Sequence, residues 1–407
     1  MEKLTVRGGR PLNGTVRVSG SKNAALPLIF ATVLTESVCV IENVPMIRDV
    51  EMSLEILTSM GAQASLAANG TLEISTENMR PILPPAHLVC ALRASTYLMG
   101  AMLGRFGRAY VQDFGGCNFS PRPIDMHLLA AERLGATLEN NGLFAPSGLK
   151  GTVIPFQKAS VGATVNALLM AARAQGRTVI ENAASEPHVE NLISFLRSMG
   201  ASITRLGSAL TVEGSALRGG RATVVGDMIE GGTYLLSGLA TGGAVSVEGC
   251  DPAHLSSFLS LLRQGGAFVK NEGGRISVSG RLIAPIVIKT APYPGFPTDL
   301  QPQTALVGAL HGGGVVTETV FPMRFGYLNA LADMGLSYVK NGSVAYLFPS
   351  RLHAGAVMAE DLRGGAALVL AALSAEGESE IYGASKILRG YENITEKFSS
   401  LGASINF

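Results

Sequence analysis

The chain has 407 residues, of which 47% are hydrophobic and 15% charged, so it is long enough for two or three domains and is not an intrinsically disordered protein. Its 32 basic and 31 acidic residues give a net charge of +1, which excludes the strong basic field that recruits nucleic acid or an anionic membrane. Neither a signal peptide nor a membrane-spanning stretch is visible, and the four cysteines lack metal-type spacing, so we expect a cytoplasmic protein with free thiols.

A repeated pattern runs through the whole chain. Short helical segments end in Met-Gly-Ala, Leu-Gly-Ala or a close variant six times, at Gly61, Gly135, Gly200, Gly266, Gly335 and Gly402. In four of them an acid stands ten residues before the glycine, where it favours a helix N-terminus, namely Glu51, Asp125, Glu190 and Glu392. Apolar residues then recur three apart. Each repeat is therefore predicted to contain an amphipathic helix of about three turns, closed by the glycine and followed by a strand.

Each repeat also contains a second helix that is apolar on all sides and therefore predicted to be buried. In chain order these helices are expected at 23–34, 94–103, 163–174, 233–240, 303–310 and 366–374. Six such repeats predict an α/β protein with two lobes of three repeats each, in which sheets and amphipathic helices surround the buried helices.

Polar residues gather at the predicted starts of the buried helices. If these helices run parallel, their N-termini form an anion site, and Lys or Arg side chains beside them suit phosphate and carboxylate groups. The residues at these starts are Ser21, Lys22, Asn23, Arg93, the segment 158–162, Glu230, Asp299, Asp361 and Arg363. The other loop of each repeat supplies Arg48, Cys117 with Arg122, Glu186, Arg324 and Arg389, and Arg48, Arg122 and Arg389 occupy equivalent positions. A lone cation at such a place is more often a solvated surface charge, and Asp361 with Arg363 is equally well explained as a structural ion pair near a cap.

Cys117 differs from the other three cysteines because its loop contains two glycines and an arginine, Arg122, that would lower a thiol pKa. From the residues alone, a reactive and an inert thiol remain equally open. Cys39, Cys90 and Cys250 lie in apolar segments and are expected to be inert core residues. We expect His127 to pack in the core or to support a site residue.

At these positions the chain resembles the UDP-N-acetylglucosamine 1-carboxyvinyltransferase family over essentially its full length. The motifs are SGSKNAALP at 19–27, GGC at 115–117 with RP at 122–123, SVGAT at 160–164, ENAA at 181–184, FPTD at 296–299, TETVF at 317–321, DLR at 361–363 and RGYE at 389–392. The resemblance implies a two-lobed inside-out α/β barrel. It places 21–227 in one lobe and 1–20 plus 228–407 in the other, with the active site in the cleft between them.

The resemblance also implies a reaction, in which the enolpyruvyl group of phosphoenolpyruvate moves to the 3′-hydroxyl of UDP-N-acetylglucosamine with release of phosphate. This is the first committed step of peptidoglycan synthesis. It needs no cofactor or metal, and no nucleic-acid or membrane partner, and the protein is expected to be a monomer or a weak oligomer. Cys117, which fosfomycin alkylates in the family, would protonate the enol carbon, and Asp299 would take the proton of the sugar hydroxyl.

The binding residues follow from the same resemblance. Phosphoenolpyruvate is assigned to Lys22, Asn23, Arg93, Arg122 and Arg389, with Lys22 and Arg389 also counted as catalytic. UDP-N-acetylglucosamine is assigned to Asn23, Arg93, Arg122, Pro123, Ile124, Asp125, Met126, Lys158, Ala159, Ser160, Val161, Gly162, Asp299 and Val320. Arg324, Asp361 and Arg363 are expected to support the site.

Four positions depart from the family pattern, namely Ser120, Met228, Pro322 and Leu388, where the family usually has Gly, Arg, an acid and Asp. They motivate a second hypothesis, a non-catalytic paralogue that binds the nucleotide sugar. A third is 5-enolpyruvylshikimate-3-phosphate synthase, although that family does not use a loop cysteine in this context. A repeat scaffold without a small-molecule site fails to explain the charges at equivalent loop positions.

Overall fold

The computed structural model describes residues 2–111, 115 and 122–407. Its helices are α1 (Lys22–Ala31), α2 (Arg48–Ser59), α3 (Ala86–Ala91), α4 (Thr96–Phe106), α5 (Asp125–Arg133), α6 (Val161–Ala171), α7 (Pro187–Ser198), α8 (Met228–Thr241), α9 (Ser256–Gln264), α10 (Gln301–His311), α11 (Tyr327–Ala332), α12 (Leu362–Ser374), α13 (Ala384–Ile387) and α14 (Ile394–Ser400). Within the described residues, 3₁₀ helices span Thr32–Leu34, Arg93–Ser95, Pro252–Leu255 and Thr298–Leu300.

The strands are β1 (Lys3–Gly8), β2 (Asn13–Arg17), β3 (Cys39–Glu42), β4 (Gln63–Leu66), β5 (Leu72–Ser75), β6 (Arg108–Tyr110), β7 (Thr137–Glu139), β8 (Gly142–Phe144), β9 (Val153–Pro155), β10 (Arg177–Glu181), β11 (Ser202–Leu206), β12 (Ala209–Glu213), β13 (Arg221–Thr223), β14 (Ala244–Glu248), β15 (Phe268–Glu272), β16 (Arg275–Ser279), β17 (Ile286–Lys289), β18 (Gly314–Thr317), β19 (Tyr338–Asn341), β20 (Val344–Leu347), β21 (Ala356–Met358), β22 (Gly377–Tyr382) and β23 (Ser404–Asn406).

The described strands form six sheets with one recurring topology. In five of them a parallel edge strand pairs with the strand that follows a buried helix, and two further antiparallel strands complete the sheet. These two strands form a hairpin in four of the sheets, and in the fifth they are β1 and β23 from opposite ends of the chain. The orders of the five sheets are β13-β3-β5-β4, β9-β10-β12-β11, β2-β14-β16-β15, β17-β18-β20-β19 and β21-β22-β1-β23. The sixth sheet, β6-β8-β7, has the same central strand and hairpin. The six repeats predicted from the sequence are therefore confirmed.

The described residues form two compact units, each with its own apolar core. The C unit contains the described residues up to Ser19 and Gly226–Phe407, and the N unit contains the described residues from Gly20 to Val225. Each unit holds three of the six sheets. Strands β1 and β2 belong to the C unit because β1 pairs with β22 and β23, and β2 pairs with β14.

The predicted buried helices are α1, α4 and α6 in the N unit and α8, α10 and α12 in the C unit. In α12 every residue from Leu362 to Leu373 is buried. In the C unit the three helices contact one another, and in the N unit α4 contacts both α1 and α6. A helix with no polar face is stable in water only when neighbours cover it on all sides, and the packed triads meet that requirement.

The six terminal glycines all adopt a left-handed conformation, with φ between 96° and 111°, as predicted for the residue after a helix end. The acids at Glu51, Asp125 and Glu190 lie in the first turns of α2, α5 and α7. The same prediction is wrong for Glu392, because Asn393 has a φ of 50° and α14 begins only at Ile394. The Glu392 carboxylate instead accepts a hydrogen bond from the Ser19 hydroxyl.

Alanine substitutions at Gly61 and Gly135 would distinguish the conformational cost of a side chain from its steric cost. An added Cβ at Gly61 would lie 2.5 Å from the Asn78 carbonyl oxygen, whereas at Gly135 it would meet nothing within 4 Å. We expect Gly135→Ala to lower the free energy of unfolding by about 1–2 kcal/mol through the left-handed φ alone. Gly61→Ala should lose a further 1–3 kcal/mol or so through overlap with backbone. Urea denaturation of both variants tests this, and equal losses would contradict it.

Candidate active site

A carboxylate held by two buried guanidinium groups forms the centre of the candidate site in the C unit. The 3₁₀ turn before α10 presents Asp299, whose Oδ1 accepts from Arg324 Nη1 at 2.8 Å and whose Oδ2 accepts from Arg363 Nη2 at 3.2 Å. The side chains of Arg324 and Arg363 are 5% and 2% exposed, but that of Asp299 is 25% exposed. The two guanidinium groups therefore hold the carboxylate in place, while part of it stays accessible to solvent.

Arg363 is placed by the cap of its own helix. Asp361 accepts hydrogen bonds from the backbone N–H groups of Arg363 and Gly364 at 2.8 and 3.0 Å, so it caps α12. The ion-pair partner of Arg363 is Asp299, not Asp361. Burial opposes the charge of Arg363, but Asp299 and Tyr391 outweigh it and raise its pKa. The ion pair between Asp361 and Arg363 that the sequence suggested is thus replaced by two interactions. Asp361 caps α12, and Arg363 pairs with Asp299.

Tyr391 and Glu318 support these groups, and sequence reasoning assigned neither a role. The Arg363 guanidinium lies 5.6 Å from the centre of the Tyr391 ring, whose hydroxyl lies 2.8 Å from Thr233 Oγ1. Glu318 is 1% exposed and accepts from the Thr298 hydroxyl at 2.9 Å and from the backbone N–H of Val320 at 2.9 Å. It therefore orders both the residue before Asp299 and the half-buried Val320. Their only signal was membership of the RGYE and TETVF motifs.

In the N unit, Lys22 is the first residue of α1 and lies against a buried acid. Its Nζ is 3.3 Å from Asp49 Oδ2, with the two side chains 14% and 3% exposed. Asn23 follows it and is half-buried. Asp49 was missed from sequence because an acid in the first turn of an amphipathic helix is ordinarily solvated.

Arg93 and Arg122 form a second group in the N unit. The 3₁₀ turn before α4 carries Arg93, whose Nη2 donates to the carbonyl oxygen of Arg122 at 2.6 Å. Burial lowers the pKa of Arg93. In the segment that follows Arg122 and leads into α5, Pro123 and Asp125 are exposed, while Ile124 and Met126 are half-buried.

The start of α6 offers backbone donors to an anion. Ser160 caps the helix by accepting from the N–H of Ala163 at 3.4 Å. Residues 159–162 are half-buried and Lys158 is exposed. Because the first N–H groups of a helix have no partner within it, those of Val161 and Gly162 suit a phosphate oxygen.

Comparison with known proteins shows the family to which the chain belongs. Residues 6–398 match the family model of EPSP synthase (3-phosphoshikimate 1-carboxyvinyltransferase). UDP-N-acetylglucosamine 1-carboxyvinyltransferase 2 of Bacillus cereus is 44% identical over 100% of this chain and 96% of its own length. UDP-N-acetylglucosamine 1-carboxyvinyltransferase 1 of Streptococcus agalactiae is 42% identical over 100% and 99%. The chain belongs to the UDP-N-acetylglucosamine 1-carboxyvinyltransferase family.

Solved structures of enolpyruvyl transferases share the fold. The enolpyruvyl transferase NikO from Streptomyces tendae superposes with a TM-score of 0.86 at 27% identity, over 99% of this chain and 98% of that one. EPSP synthase from Acinetobacter baumannii gives 0.73 at 19% identity over 100% of both chains. These structures confirm the predicted fold class, and the named relatives confirm the prediction of a transferase enzyme. No described helix has the length and apolar character needed to cross a membrane.

One sequence expectation that needs correction concerns Arg48, in the loop that is equivalent to those of Arg122 and Arg389. Arg48 pairs with Glu51 and Glu55 at 3.1 and 2.8 Å with its own side chain 48% exposed, so its equivalence to Arg122 and Arg389 does not make it a buried site cation. Arg389 follows α13 and is half-buried. Glu186 precedes α7 at its N-cap position.

The cysteines divide differently from the expectation. Cys90 lies on α3 and is exposed, so its assignment to the core was wrong, because α3 turns that side chain to solvent. Cys39 and Cys250 are buried, and burial raises their pKa values, that of Cys250 to about 12. Cys117 and Ser120 lie outside the described residues.

Three of the four departures from the family pattern fit their surroundings. Pro322 is the second residue of a turn closed by the Arg324 N–H on the Phe321 carbonyl at 2.9 Å, a position that needs no donor and favours the φ of proline. Met228 and Leu388 are partly buried and pack against the apolar core of the C unit. These positions therefore act in packing and turn formation beside the site.

Proposed function

We propose that this chain transfers the enolpyruvyl group of phosphoenolpyruvate to the 3′-hydroxyl of UDP-N-acetylglucosamine with release of phosphate, the first committed step of peptidoglycan synthesis. The observation that carries the proposal is the full-length identity of 44% with curated relatives of that name. The accessible carboxylate of Asp299 on two buried guanidinium groups supplies a group suited to this chemistry.

Phosphoenolpyruvate carries a phosphate and a carboxylate, and both need cationic partners. The cations Lys22, Arg93, Arg122 and Arg389 are assigned to this substrate, with Asn23 as a neutral donor. Lys22 lies at the first position of α1, where the helix dipole adds to the charge of its ammonium group. The buried carboxylate of Asp49 supports the proposal because it keeps the Lys22 ammonium in one place.

The reaction requires one proton to leave the sugar hydroxyl and one proton to reach phosphoenolpyruvate. As the sugar oxygen bonds to C2 of phosphoenolpyruvate, Asp299 takes the hydroxyl proton and Cys117 delivers a proton to C3. A proton then leaves C3, the bond from C2 to the phosphate oxygen breaks, and phosphate departs with the electron pair. Arg324 and Arg363 hold Asp299 in position for the first step.

The nucleotide sugar is assigned to residues on α5 and α6 and the segments before them. Residues 122–126 would contact the nucleotide, and residues 158–162 would meet the diphosphate through Lys158 and the N–H groups at the start of α6. Val320, which Glu318 orders, would complete the contacts in the C unit.

Phosphate release from phosphoenolpyruvate tests the proposal directly. We expect release with UDP-N-acetylglucosamine present and none without it. Shikimate 3-phosphate serves as the control acceptor, and release with that compound alone would assign the chain to EPSP synthase activity. Binding of the nucleotide sugar without any release would contradict the transferase and favour the regulatory paralogue.

A further inference from the structure

Glu318 is a buried carboxylate that takes no part in the proton transfers proposed above. It is 1% exposed. Its Oε1 accepts from the Thr290 hydroxyl at 2.7 Å and from the backbone N–H groups of Val320 and Phe321, both at 2.9 Å. Its Oε2 accepts from the Thr298 hydroxyl at 2.9 Å. A buried carboxylate is costly unless hydrogen bonds satisfy it, and these neutral donors are held in place in return.

The Thr298 hydroxyl connects Glu318 to the proton acceptor of the site. A guanidinium group only donates hydrogen bonds, and a carboxylate only accepts them. The Thr298 oxygen therefore accepts from Arg324 Nη1 at 3.1 Å, while its hydrogen goes to Glu318. Arg324 Nη1 also donates to Asp299 Oδ1 at 2.8 Å. The four residues thus form one chain of hydrogen bonds in which every donor is determined.

The charge of Glu318 strengthens the other bonds of this chain. A hydroxyl that donates to a carboxylate becomes a better acceptor, because hydrogen bonds in series polarise one another. The Thr298 oxygen consequently holds Arg324 Nη1 more firmly than an isolated hydroxyl would. Glu318 also orders Phe321, whose N–H it binds and whose ring centre lies 5.8 Å from the guanidinium carbon of Arg324.

We propose that Glu318 and Thr298 are positioning residues for the transfer reaction, and that they act by holding Arg324 against Asp299. The inference rests on the proposed function, in which Asp299 takes the proton of the sugar hydroxyl. Glu318 and Thr298 act on the geometry of that carboxylate and not on a substrate. A displacement of such a group by about 1 Å can cost about a hundredfold in rate.

Substitutions at Thr298 separate the hydroxyl from the shape of the side chain. Thr298→Val is nearly isosteric but leaves Arg324 without this acceptor, and we expect kcat for phosphate release to fall about ten- to a hundredfold. Thr298→Ser keeps the hydroxyl and should stay within about threefold of the unsubstituted chain. KM for either substrate should change less than about threefold in both variants, because no group assigned to a substrate is removed.

Two double variants test whether the effect passes through Glu318 and Asp299. Glu318→Gln retains an acceptor for the three donors on Oε1 but places an amide N–H opposite the Thr298 hydroxyl. Its kcat should fall as in Thr298→Val, and combining the two should add less than about a twofold loss, since both break the same bond. In an Asp299→Asn background, Thr298→Val should likewise cost less than about twofold, because the group that it positions is already gone.

Thr304→Val is the matched control, because the Thr304 hydroxyl is also buried but donates to the carbonyl oxygen of Leu300, one turn earlier. It should keep kcat within about twofold, since it costs stability without touching the chain of hydrogen bonds. Losses that multiply in either double variant, or a Thr298→Ser variant as slow as Thr298→Val, would overturn the positioning role while the function stands. Absence of phosphate release by the unsubstituted chain would overturn the proposed function and this inference together.

Discussion

Asp299→Asn is expected to lower kcat for phosphate release by two to four orders of magnitude, the usual contribution of a positioned proton acceptor. Asparagine is nearly isosteric with aspartate but cannot take the proton of the sugar hydroxyl. It also turns an N–H toward one of the two guanidinium groups, which leaves the buried Arg363 without its counter-charge. Steady-state rates with both substrates saturating give the comparison.

The control is Asp251→Asn, the same substitution at an exposed carboxylate of the C unit that caps the turn Pro252–Leu255. Asparagine caps a helix as well as aspartate does, so this variant should retain full activity. Because Asp299→Asn disturbs a buried ion pair, its fold is verified by near-ultraviolet circular dichroism. A folded Asp299→Asn variant with less than a tenfold loss would refute the role of Asp299 as proton acceptor.

Lys397→Met is expected to destabilise the protein strongly above pH 8 and only slightly at pH 5. Glu230, in the first turn of α8, is 1% exposed and accepts from Lys397 Nζ at 2.5 Å and from the backbone N–H of Ser19 at 2.9 Å. Burial raises its pKa to about 7, Lys397 opposes that rise, and Asp227 adds to it. Without the ammonium group, the pKa of Glu230 moves higher still.

The direction of this pH dependence follows from the number of protons that the folded and unfolded states bind. Glu230 has a pKa near 4.5 when unfolded and about 7 when folded, so the native state binds more protons and its stability falls as pH rises between those values. In Lys397→Met the fall continues above pH 7. It should reach about 3–5 kcal/mol, typical of a buried charge that has lost its partner. At pH 5 the carboxyl group is largely protonated and the substitution removes little.

Denaturant unfolding at pH 5 and pH 8.5 measures this difference. Lys270→Met is the matched control, because Lys270 pairs with Glu272 on the surface with both side chains more than half exposed. Its effect should be below about 1 kcal/mol at either pH. Equal destabilisation by Lys397→Met at both pH values would show that Glu230 stays ionised in the folded protein throughout.

The repeats were predictable because their signals are local. A glycine at a helix end reports its own left-handed φ, and an apolar period of three or four residues reports one buried face. The predictions for Gly61 and its five equivalents were therefore confirmed, as were those for the six buried helices, the first of which is α1 and the last α12. The prediction for Glu392 was wrong because the same acid spacing fits either a helix start or a long-range hydrogen bond. With Asn393 in a left-handed conformation, α14 begins only at the next residue.

Local patterns in the sequence are thus enough to predict the set of repeats and the burial of each helix and, through the motifs, the family and the candidate residues. How those residues pair depends on the tertiary structure. Asp299 pairs with Arg324 and Arg363, which lie 25 and 64 residues further along the chain. Lys22 on α1 pairs with Asp49 on α2. His127 likewise lies in hydrogen-bond contact with Asn166, 39 residues further along the chain. Such pairings depend on the packing of whole elements to within a fraction of an ångström, and no periodicity within a single element encodes them.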